Sequence, residues 1–281
     1  MKNLNLLLAI LIGATLFSCS SNDDNPTPPT PEIKLDKFEQ KIYNNEVLDR
    51  IIVVDFNNNR LEKSYSYSAE NVLGGYSNWI YNSDGLLSAI NDFSTEDVLI
   101  RKLEITYNSQ DRIIKTDQVY TSSPTEHKVV TFTHNSDNTI DSEQSFLGYV
   151  ENRVFEVNAE GLIDKELEDG AVVVSVVYDG NDPISKTVSS EVYHYSYHQT
   201  GVFPSNVEGF LGNNTNPINY VLYANSLRRG SDNFTRKLIT EISSSSSNSE
   251  TIYVLNENNI PLSSKLYKNG ALESEIEYFY E

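Results

Sequence analysis

Histidines are the most evident candidates for metal or acid–base chemistry in this chain, which has four of them. His194 and His198 are four residues apart in a segment with strand alternation, so they share one face. At the usual strand rise they are about 13 Å apart. Zinc–nitrogen bonds are only about 2 Å long, so one ion cannot bind both unless the strand bends. The sequence therefore predicts two solvent-facing histidines and no metal site.

Oxygen-rich turns and carboxylates offer two further kinds of chemistry. Asp179-Gly180-Asn181-Asp182 and Asn82-Ser83-Asp84-Gly85 are similar to fragments of calcium loops, but they lack the spaced ligands and the distal Glu. We interpret both as turns, with weak calcium binding as the alternative. The 40 acidic residues guarantee that some pair lies at glycosidase distance. Phosphate loops, nucleophile elbows and zinc-protease motifs are absent from the sequence, which predicts no catalytic residue and no cofactor.

The single cysteine, Cys19, has the clearest chemical assignment. The segment from Leu4 to Phe17 is almost wholly apolar, follows Lys2 and is too short for a spanning helix, which is typical of a signal peptide. Leu16-Phe17-Ser18-Cys19 resembles the lipobox of bacterial lipoproteins, in which the cysteine is lipidated and becomes the mature N-terminus. An ordinary signal peptide with an incidental cysteine is the alternative. A lone cysteine excludes an intramolecular disulfide.

Residues 19–36 are predicted to form an acidic, proline-rich tether between a signal peptide at 1–18 and a folded domain at 37–281. The tether contains Asp23-Asp24 and four prolines between positions 26 and 31, a composition that cannot build a core. The acidic pair resembles the export signal of Bacteroidetes-type surface lipoproteins. That resemblance implies a lipid-anchored protein on the outer face of the outer membrane. A plain polar linker, with the domain on the periplasmic face, is the alternative.

The charge of the chain limits its partners. The formal net charge is −19, with 40 acidic and 21 basic residues. This balance argues against nucleic acid and against an anionic membrane surface. It favours solubility, or a basic or divalent-cation partner, and a solvated β surface is the plainest explanation.

A recurring turn organises the elements that would position any site. Tyr81-Asn82-Ser83-Asp84-Gly85-Leu86-Leu87 is its clearest copy, and the anchoring Asn or Asp recurs at 57, 82, 108, 135, 158 and 179, in steps of 25, 26, 27, 23 and 21. Asn, Asp and Gly supply positive φ and local hydrogen bonds, and Leu or Ile starts the returning strand. A fixed period in this range indicates an array of one supersecondary unit, here a β-hairpin.

The flanks of these turns alternate with the period of a strand. Leu103, Ile105 and Tyr107 alternate with polar residues, and Tyr193, Tyr195 and Tyr197 do the same. The sequence thus predicts an all-β fold: a long antiparallel up-and-down meander of hairpins, curled or closed into a barrel-like sheet. The polar outward positions argue against a membrane-spanning barrel. Trp79 and most of the eighteen tyrosines are expected to form core pairs, with sugar stacking as the alternative.

One insertion, at about 198–236, breaks the period. Asn216 and Pro217 can start a short helix over about 217–225. Long loops are often functional, so the insertion is a candidate ligand rim. The rim residues are Phe203, Tyr220, Tyr223 and Arg228. The alternative is a cap whose aromatic residues plug the open end of the sheet.

The aromatic-Asn-x-x-Gly-Leu turns resemble degenerate YD (RHS-like) repeats. Together with the lipobox, the acidic tether and the Phe-Pro-containing insertion, they are similar to a family of uncharacterised Bacteroidetes lipoproteins with a porin-like β fold. The resemblance covers nearly the whole chain and rests on composition and spacing. It implies a curled antiparallel meander and supplies no activity and no catalytic residues.

Three classes of function remain open. The first is a non-catalytic, surface-exposed lipoprotein that binds a glycan, a peptide or a partner protein. The second is an envelope enzyme that processes glycans, which a deep pocket with two facing carboxylates would favour. The third is an immunity or inhibitor lipoprotein that binds a basic protein, which a flat acidic face would favour. An exposed aromatic row would favour the binding protein.

Overall fold

The computed structural model describes residues 33–57, 60–203 and 237–281. Every regular element in these ranges is a β-strand. The strands are β1 (Leu35–Asn44), β2 (Val47–Asn57), β3 (Arg60–Ser68), β4 (Leu73–Tyr81), β5 (Leu87–Phe93), β6 (Leu99–Tyr107), β7 (Ile113–Tyr120), β8 (Ser123–His134), β9 (Thr139–Phe146), β10 (Tyr149–Val157), β11 (Ile163–Glu168), β12 (Ala171–Asp179), β13 (Asp182–Val188), β14 (Glu191–Val202), β15 (Lys237–Ser243), β16 (Asn248–Leu255), β17 (Pro261–Lys268) and β18 (Ala271–Tyr280). Within these ranges, no helix has the length and apolar character needed to cross a bilayer.

The strands form one closed sheet. Each pairs antiparallel with the next along the chain, and β18 pairs with β1 to complete the ring. Phe38 of β1 lies opposite Val54 of β2 on one side and Tyr278 of β18 on the other. The structure confirms the predicted antiparallel meander and shows that it closes into an 18-stranded barrel. The short helix predicted at about 217–225 lies outside the described residues.

The repeated turns gather at one end of the barrel, hereafter the repeat end, where β1 also begins and β18 ends. Asn82 shows how a copy is built: its Oδ1 accepts hydrogen bonds from the backbone N–H of Asp84 at 3.0 Å and of Leu86 at 2.9 Å. Asn108, Asn158 and Asn256 make the same pair of bonds. A positive φ follows in Gly85 (83°), Asp111 (58°), Asn138 (62°), Gly161 (85°) and Asn259 (59°). These residue types tolerate that conformation, which explains the composition of the repeat.

The opposite end carries the connections that follow odd-numbered strands, and we call it the short-turn end. Several of its connections contain only two residues between paired strands, as at Asn269 and Gly270, which both have positive φ. Such turns match the twist of a hairpin. The alternation of the two kinds of turn produces a period of two strands per repeat.

Apolar side chains fill the barrel in the half nearer the repeat end. One buried cluster contains Ile105, Ile113, Val130, Phe132, Ile140 and Phe155, and a second contains Leu35, Val54, Phe56 and Leu61. Trp79 and Tyr278 pack against the second cluster. Each fully buried aliphatic or aromatic side chain stabilises the fold by about 1.5–3 kcal/mol relative to an exposed one. The predicted inward face of β6, with Leu103 and Ile105, is confirmed.

Charged groups occupy the inner face nearer the short-turn end. Arg101 Nε lies 2.5 Å from Asp92 Oδ2, and Ser77 Oγ donates to the other oxygen of Asp92 at 2.7 Å. These residues share a face with buried Ile90 and Leu103, two positions away on their strands. Because each charge has a partner of opposite sign or a hydrogen-bond donor, the interior tolerates them.

The chain continues in strand conformation into the predicted insertion. β14 extends to Val202, although its pairing with β15 shifts register after Ser196 and again after Tyr197. His198 lies within this irregularity, and its Nδ1 accepts a hydrogen bond from Gly201 N at 2.9 Å. Of the predicted insertion, residues 204–236 lie outside the described part of the chain.

Candidate functional site

Most of the predicted site residues lie outside the described ranges. Cys19, Tyr220, Tyr223 and Arg228 belong to this group. Phe203 is described: its ring centroid is 5.7 Å from that of Tyr278, edge to face, and it packs against the second core cluster. The first residue beyond β14 therefore contacts the core at the repeat end, as a cap would. Its role in a ligand rim stays a prediction.

The histidines lie apart from any cluster of ligands. His194 is exposed, whereas His198 is half-buried and engaged with the backbone of its own strand. Among the described residues, no three His, Cys, Asp or Glu side chains converge as a metal site would require.

The hollows on the described outer wall include one of about 470 Å³ and a second of about 510 Å³. The second contains two carboxylates, Glu104 and Asp117, opposite each other on β6 and β7. Lys102 Nζ lies 2.7 Å from Glu104, while Lys115 Nζ and His127 Nε2 each lie 2.6 Å from Asp117. Burial favours the protonated form of Asp117, but these two hydrogen bonds outweigh it and lower the pKa. Both carboxylates are ion-paired with cationic side chains and open to solvent. Glycoside hydrolysis instead needs one carboxyl group with a raised pKa that can act as the acid.

One inner carboxylate is likewise engaged in an ion pair. Glu166 is only 1% exposed and forms an ion pair with Arg153. Arg153 also contacts Glu151, and Glu168 at 3.8 Å. An unpaired charge inside the barrel would be costly, and the arginine removes that cost. We therefore interpret Glu166 as part of the barrel interior and not as a catalytic group.

The described outer wall carries one row of aromatic side chains across β3, β4 and β5. We call Tyr65, Tyr67, Tyr76 and Phe93 the aromatic row. Centroid distances are 6.4 Å from Tyr67 to Tyr65, 6.2 Å from Tyr65 to Tyr76, and 5.0 Å from Tyr76 to Phe93. The last two rings are nearly parallel, with 15° between their planes. All four side chains are half-buried.

Strand pairing places the aromatic row outside the barrel. Val54 is buried in the core and lies opposite Ser64, so Ser64 faces inward and Tyr65 outward. Trp79 packs against the core, so Tyr76, three residues earlier, points the opposite way. Phe93 is directly opposite Tyr76 and shares its face.

A glycine permits the close approach of β4 and β5 beside the row. A β-carbon on Gly75 would lie 2.6 Å from the backbone oxygen of Phe93. Any side chain at this position would separate the two strands. The Tyr76 hydroxyl also donates to Asp97 Oδ1 at 2.7 Å, which links the row to the connection between β5 and β6.

Aliphatic and acidic groups surround the aromatic row. Ile51 and Val53 of β2 lie opposite Tyr67 and Tyr65. Two connections at the short-turn end border the row, at residues 69–72 and 94–98, and together we call them the acidic rim. They contain Glu70, Glu96 and Asp97 and the exposed side chains Val72 (64%) and Val98 (57%), but no Lys or Arg.

The sequence did not single out the aromatic row. In Ser64-Tyr65-Ser66-Tyr67-Ser68, alternation predicts that the tyrosines face the core and the serines face water. The opposite holds, because pairing with β2 aligns the serines with Val54 and Ile52. One sequence signal could have indicated an apolar patch on the outer wall. The residues from Ile51 to Val54 are all apolar, so β2 has apolar side chains on both of its faces.

Among known proteins, only solved structures resemble this chain, and they do so at low sequence identity and low TM-score. No family model matches the chain, and no curated protein matches it. A porin-like protein from Bacteroides uniformis ATCC 8492 is 11% identical, with a TM-score of 0.29, over 89% of this chain and 98% of that one. A porin-like protein from Bacteroides vulgatus ATCC 8482 is 12% identical, with a TM-score of 0.39, over 89% and 99%. The structure of TcdB2-TccC3-TEV is 10% identical, with a TM-score of 0.32, over 80% of this chain and 13% of that one.

Proposed function

We propose that this chain is a lipid-anchored lipoprotein of the cell envelope, exposed at the surface of the outer membrane, whose barrel binds a partner without catalysing a reaction. The aromatic row on the outer wall carries the binding part of this proposal. Partly exposed aromatic side chains that lie together on an outer wall form an apolar patch, and such patches mark interaction sites. Core stability does not explain the row, because its side chains point away from both buried clusters.

The distribution of polarity supports a barrel that lies in water and is held to the membrane by its anchor. Membrane-spanning barrels have apolar outer faces and polar interiors. Here the outer wall carries ion pairs such as Lys102–Glu104 and Glu156–Lys165, while Ile113 and Phe155 are buried inside. A lipid at Cys19 would therefore be the means of attachment.

The anchor is tested with Cys19→Ala expressed in the native envelope. Acyl chains contribute about 0.8 kcal/mol for each buried CH₂ group, so their loss should release the protein from the membrane fraction. Fractionation followed by a high-salt wash measures this release. A variant that stays with the membrane after the wash would contradict the lipoprotein assignment.

The binding role is tested by crosslinking the anchored protein in intact cells. Wild type should yield a defined crosslinked species that is lost in Tyr65→Ser/Phe93→Ser. Val177→Ser is the matched control, because Val177 is 53% exposed and lies outside the row. Turnover of an envelope glycan by purified wild-type protein would instead support the enzyme.

The insertion is a second candidate for the binding surface. Its residues Tyr220, Tyr223 and Arg228 combine aromatic rings with the positive charge expected of a ligand rim, and Phe203 fixes its start against the core. Shortening residues 205–235 to a glycine-serine linker should abolish crosslinking if the insertion is the rim. If it is only a cap, crosslinking should persist and thermal stability should fall.

A further inference from the structure

We infer that the aromatic row and the acidic rim together dock a peptide segment of a partner protein in which apolar side chains alternate with lysine or arginine. This inference rests on the proposed binding function and narrows the ligand to one chemical class. Ring geometry, barrel closure and charge each contribute to it independently.

Ring geometry disfavours a glycan. Sugars bind aromatic residues by stacking their CH groups on an open ring face. Tyr76 and Phe93 turn their faces towards each other at 5.0 Å, so each ring covers one face of its neighbour. Tyr65 extends the series at 6.2 Å from Tyr76 with 38° between planes. The row therefore presents mainly ring edges, which suit aliphatic and aromatic side chains of a protein.

Closure of the barrel determines how a peptide can bind. In the described chain, every strand has a hydrogen-bonded neighbour on both sides. A peptide therefore cannot join the sheet as an added strand, which is a common way for β proteins to bind peptides. Recognition must use side chains on the wall and at the turns, as it does in the row and the rim.

Charge favours a basic segment. Along the strands, Glu39 and Lys41 of β1 border the apolar surface with opposite signs. The rim is not balanced in this way: its charged residues are Glu70, Glu96 and Asp97, all exposed. A hydrogen bond from the Ser68 hydroxyl, and a second from the backbone N–H of Glu70 itself, lower the pKa of Glu70 and favour its ionised form. A partner that buries Val72 and Val98 approaches these carboxylates, and cationic side chains satisfy them.

The probes for the test are two fluorescein-labelled peptides, one alternating leucine with lysine and its twin with glutamate in place of lysine. A soluble β-glucan oligosaccharide and a mannan oligosaccharide complete the set. The full chain without its lipid is titrated with each peptide by fluorescence anisotropy and with each sugar by calorimetry. We expect the lysine peptide to bind, and to bind more weakly as salt is raised.

Variants separate the parts of the surface. Tyr65→Ser/Phe93→Ser should weaken binding of the lysine peptide about tenfold or more, as loss of a central aromatic anchor does. Glu70→Gln/Glu96→Gln should weaken binding less and reduce its salt dependence. Val177→Ser should bind like wild type, and circular dichroism shows whether each variant keeps its sheet.

Several results would overturn the inference. Equal binding of the two peptides, no binding of the lysine peptide by wild type, or unchanged binding in folded Tyr65→Ser/Phe93→Ser would each do so. Binding of an oligosaccharide that depends on the aromatic row would also overturn it, while leaving the proposed binding function intact. Hydrolysis of either sugar would contradict the non-catalytic function, whether or not the peptide binds.

Discussion

The hydroxyl of Tyr107 donates a hydrogen bond to the backbone oxygen of Leu87 at 2.8 Å, and the two residues are 20 positions apart. Tyr107 ends β6 just before a repeated turn, and Leu87 begins β5 just after the previous one. The same bond recurs between successive repeats at Tyr81 and Leu61, Tyr178 and Ile163, Tyr197 and Pro183, Tyr253 and Ile239, and Tyr280 and Pro261, and the ring of His134 donates in the same way to Ile113. At these positions a tyrosine or histidine side chain therefore ties one hairpin to the one before it, whereas Val157 in the copy at 157–163 carries no such donor.

Removal of one such hydroxyl should destabilise the barrel without changing its shape. Tyr107→Phe keeps the ring in place and leaves the carbonyl of Leu87 without this donor. We expect a loss of about 1 kcal/mol in the free energy of unfolding. Urea unfolding measures it, with Tyr149→Phe as the control because Tyr149 is 80% exposed. The same loss in both variants would show that the bond to Leu87 contributes nothing.

The buried tyrosines should make the protein sensitive to alkali. Burial raises the pKa of Tyr81, Tyr107 and Tyr178 to about 12 each. Because the folded pKa exceeds the unfolded value near 10, this stability is complete below about pH 10 and is lost as the pH rises towards 12. Ultraviolet absorbance should show these tyrosines ionising together with unfolding, as followed by circular dichroism. Their ionisation at pH 10 in the folded state would contradict the prediction.

The glycine three residues after the anchoring Asn of the turn should be difficult to replace by a β-branched residue. Gly85 and Gly161 both have positive φ, as expected for the repeat. We expect Gly85→Val and Gly161→Val to cost at least about 1–2 kcal/mol each, and exposed Ser109→Val much less. A β-carbon at Gly85 would also meet the guanidinium of Arg60, but that group ends a flexible side chain and can move aside, so the positive φ accounts for the cost at both positions.

A matched replacement isolates the backbone effect at the turn. Gly161→Asn should be nearly neutral, because Asn138 and Asn259 have the same conformation in other copies. Chemical denaturation compares the set. Equal stabilities for the valine variants at 85, 161 and 109 would refute the turn motif.

Acid should weaken the contact between Glu191 and the β15–β16 connection at the short-turn end. Hydrogen bonds from Ser246, Ser244 and Tyr193 lower the pKa of Glu191 to about 2. A depressed folded pKa means that this stability is present above the unfolded value near 4.5 and is lost as the pH falls towards 2. We expect Glu191→Gln to lower Tm at pH 7 and to match wild type near pH 2. A Tm difference that is the same at both pH values would contradict this linkage.

The sequence by itself determined the local parts of the barrel. The Asn82 side chain reaches backbone groups only two and four residues away, and Gly85 sets its own φ. Such interactions are complete within five residues, so composition and spacing sufficed to predict the turns. Alternation along β6 likewise gave the inward face of Leu103 and Ile105.

Tertiary structure decided what depends on partners far along the chain. Closure requires Phe38 to pair with Tyr278, and no pattern within either strand specifies that partner. The outward direction of Tyr65 follows from the register of β3 against β2, since a shift of one residue would turn every side chain to the other face. The aromatic row combines three strands in this way. Its existence is a consequence of register, which only the assembled sheet fixes.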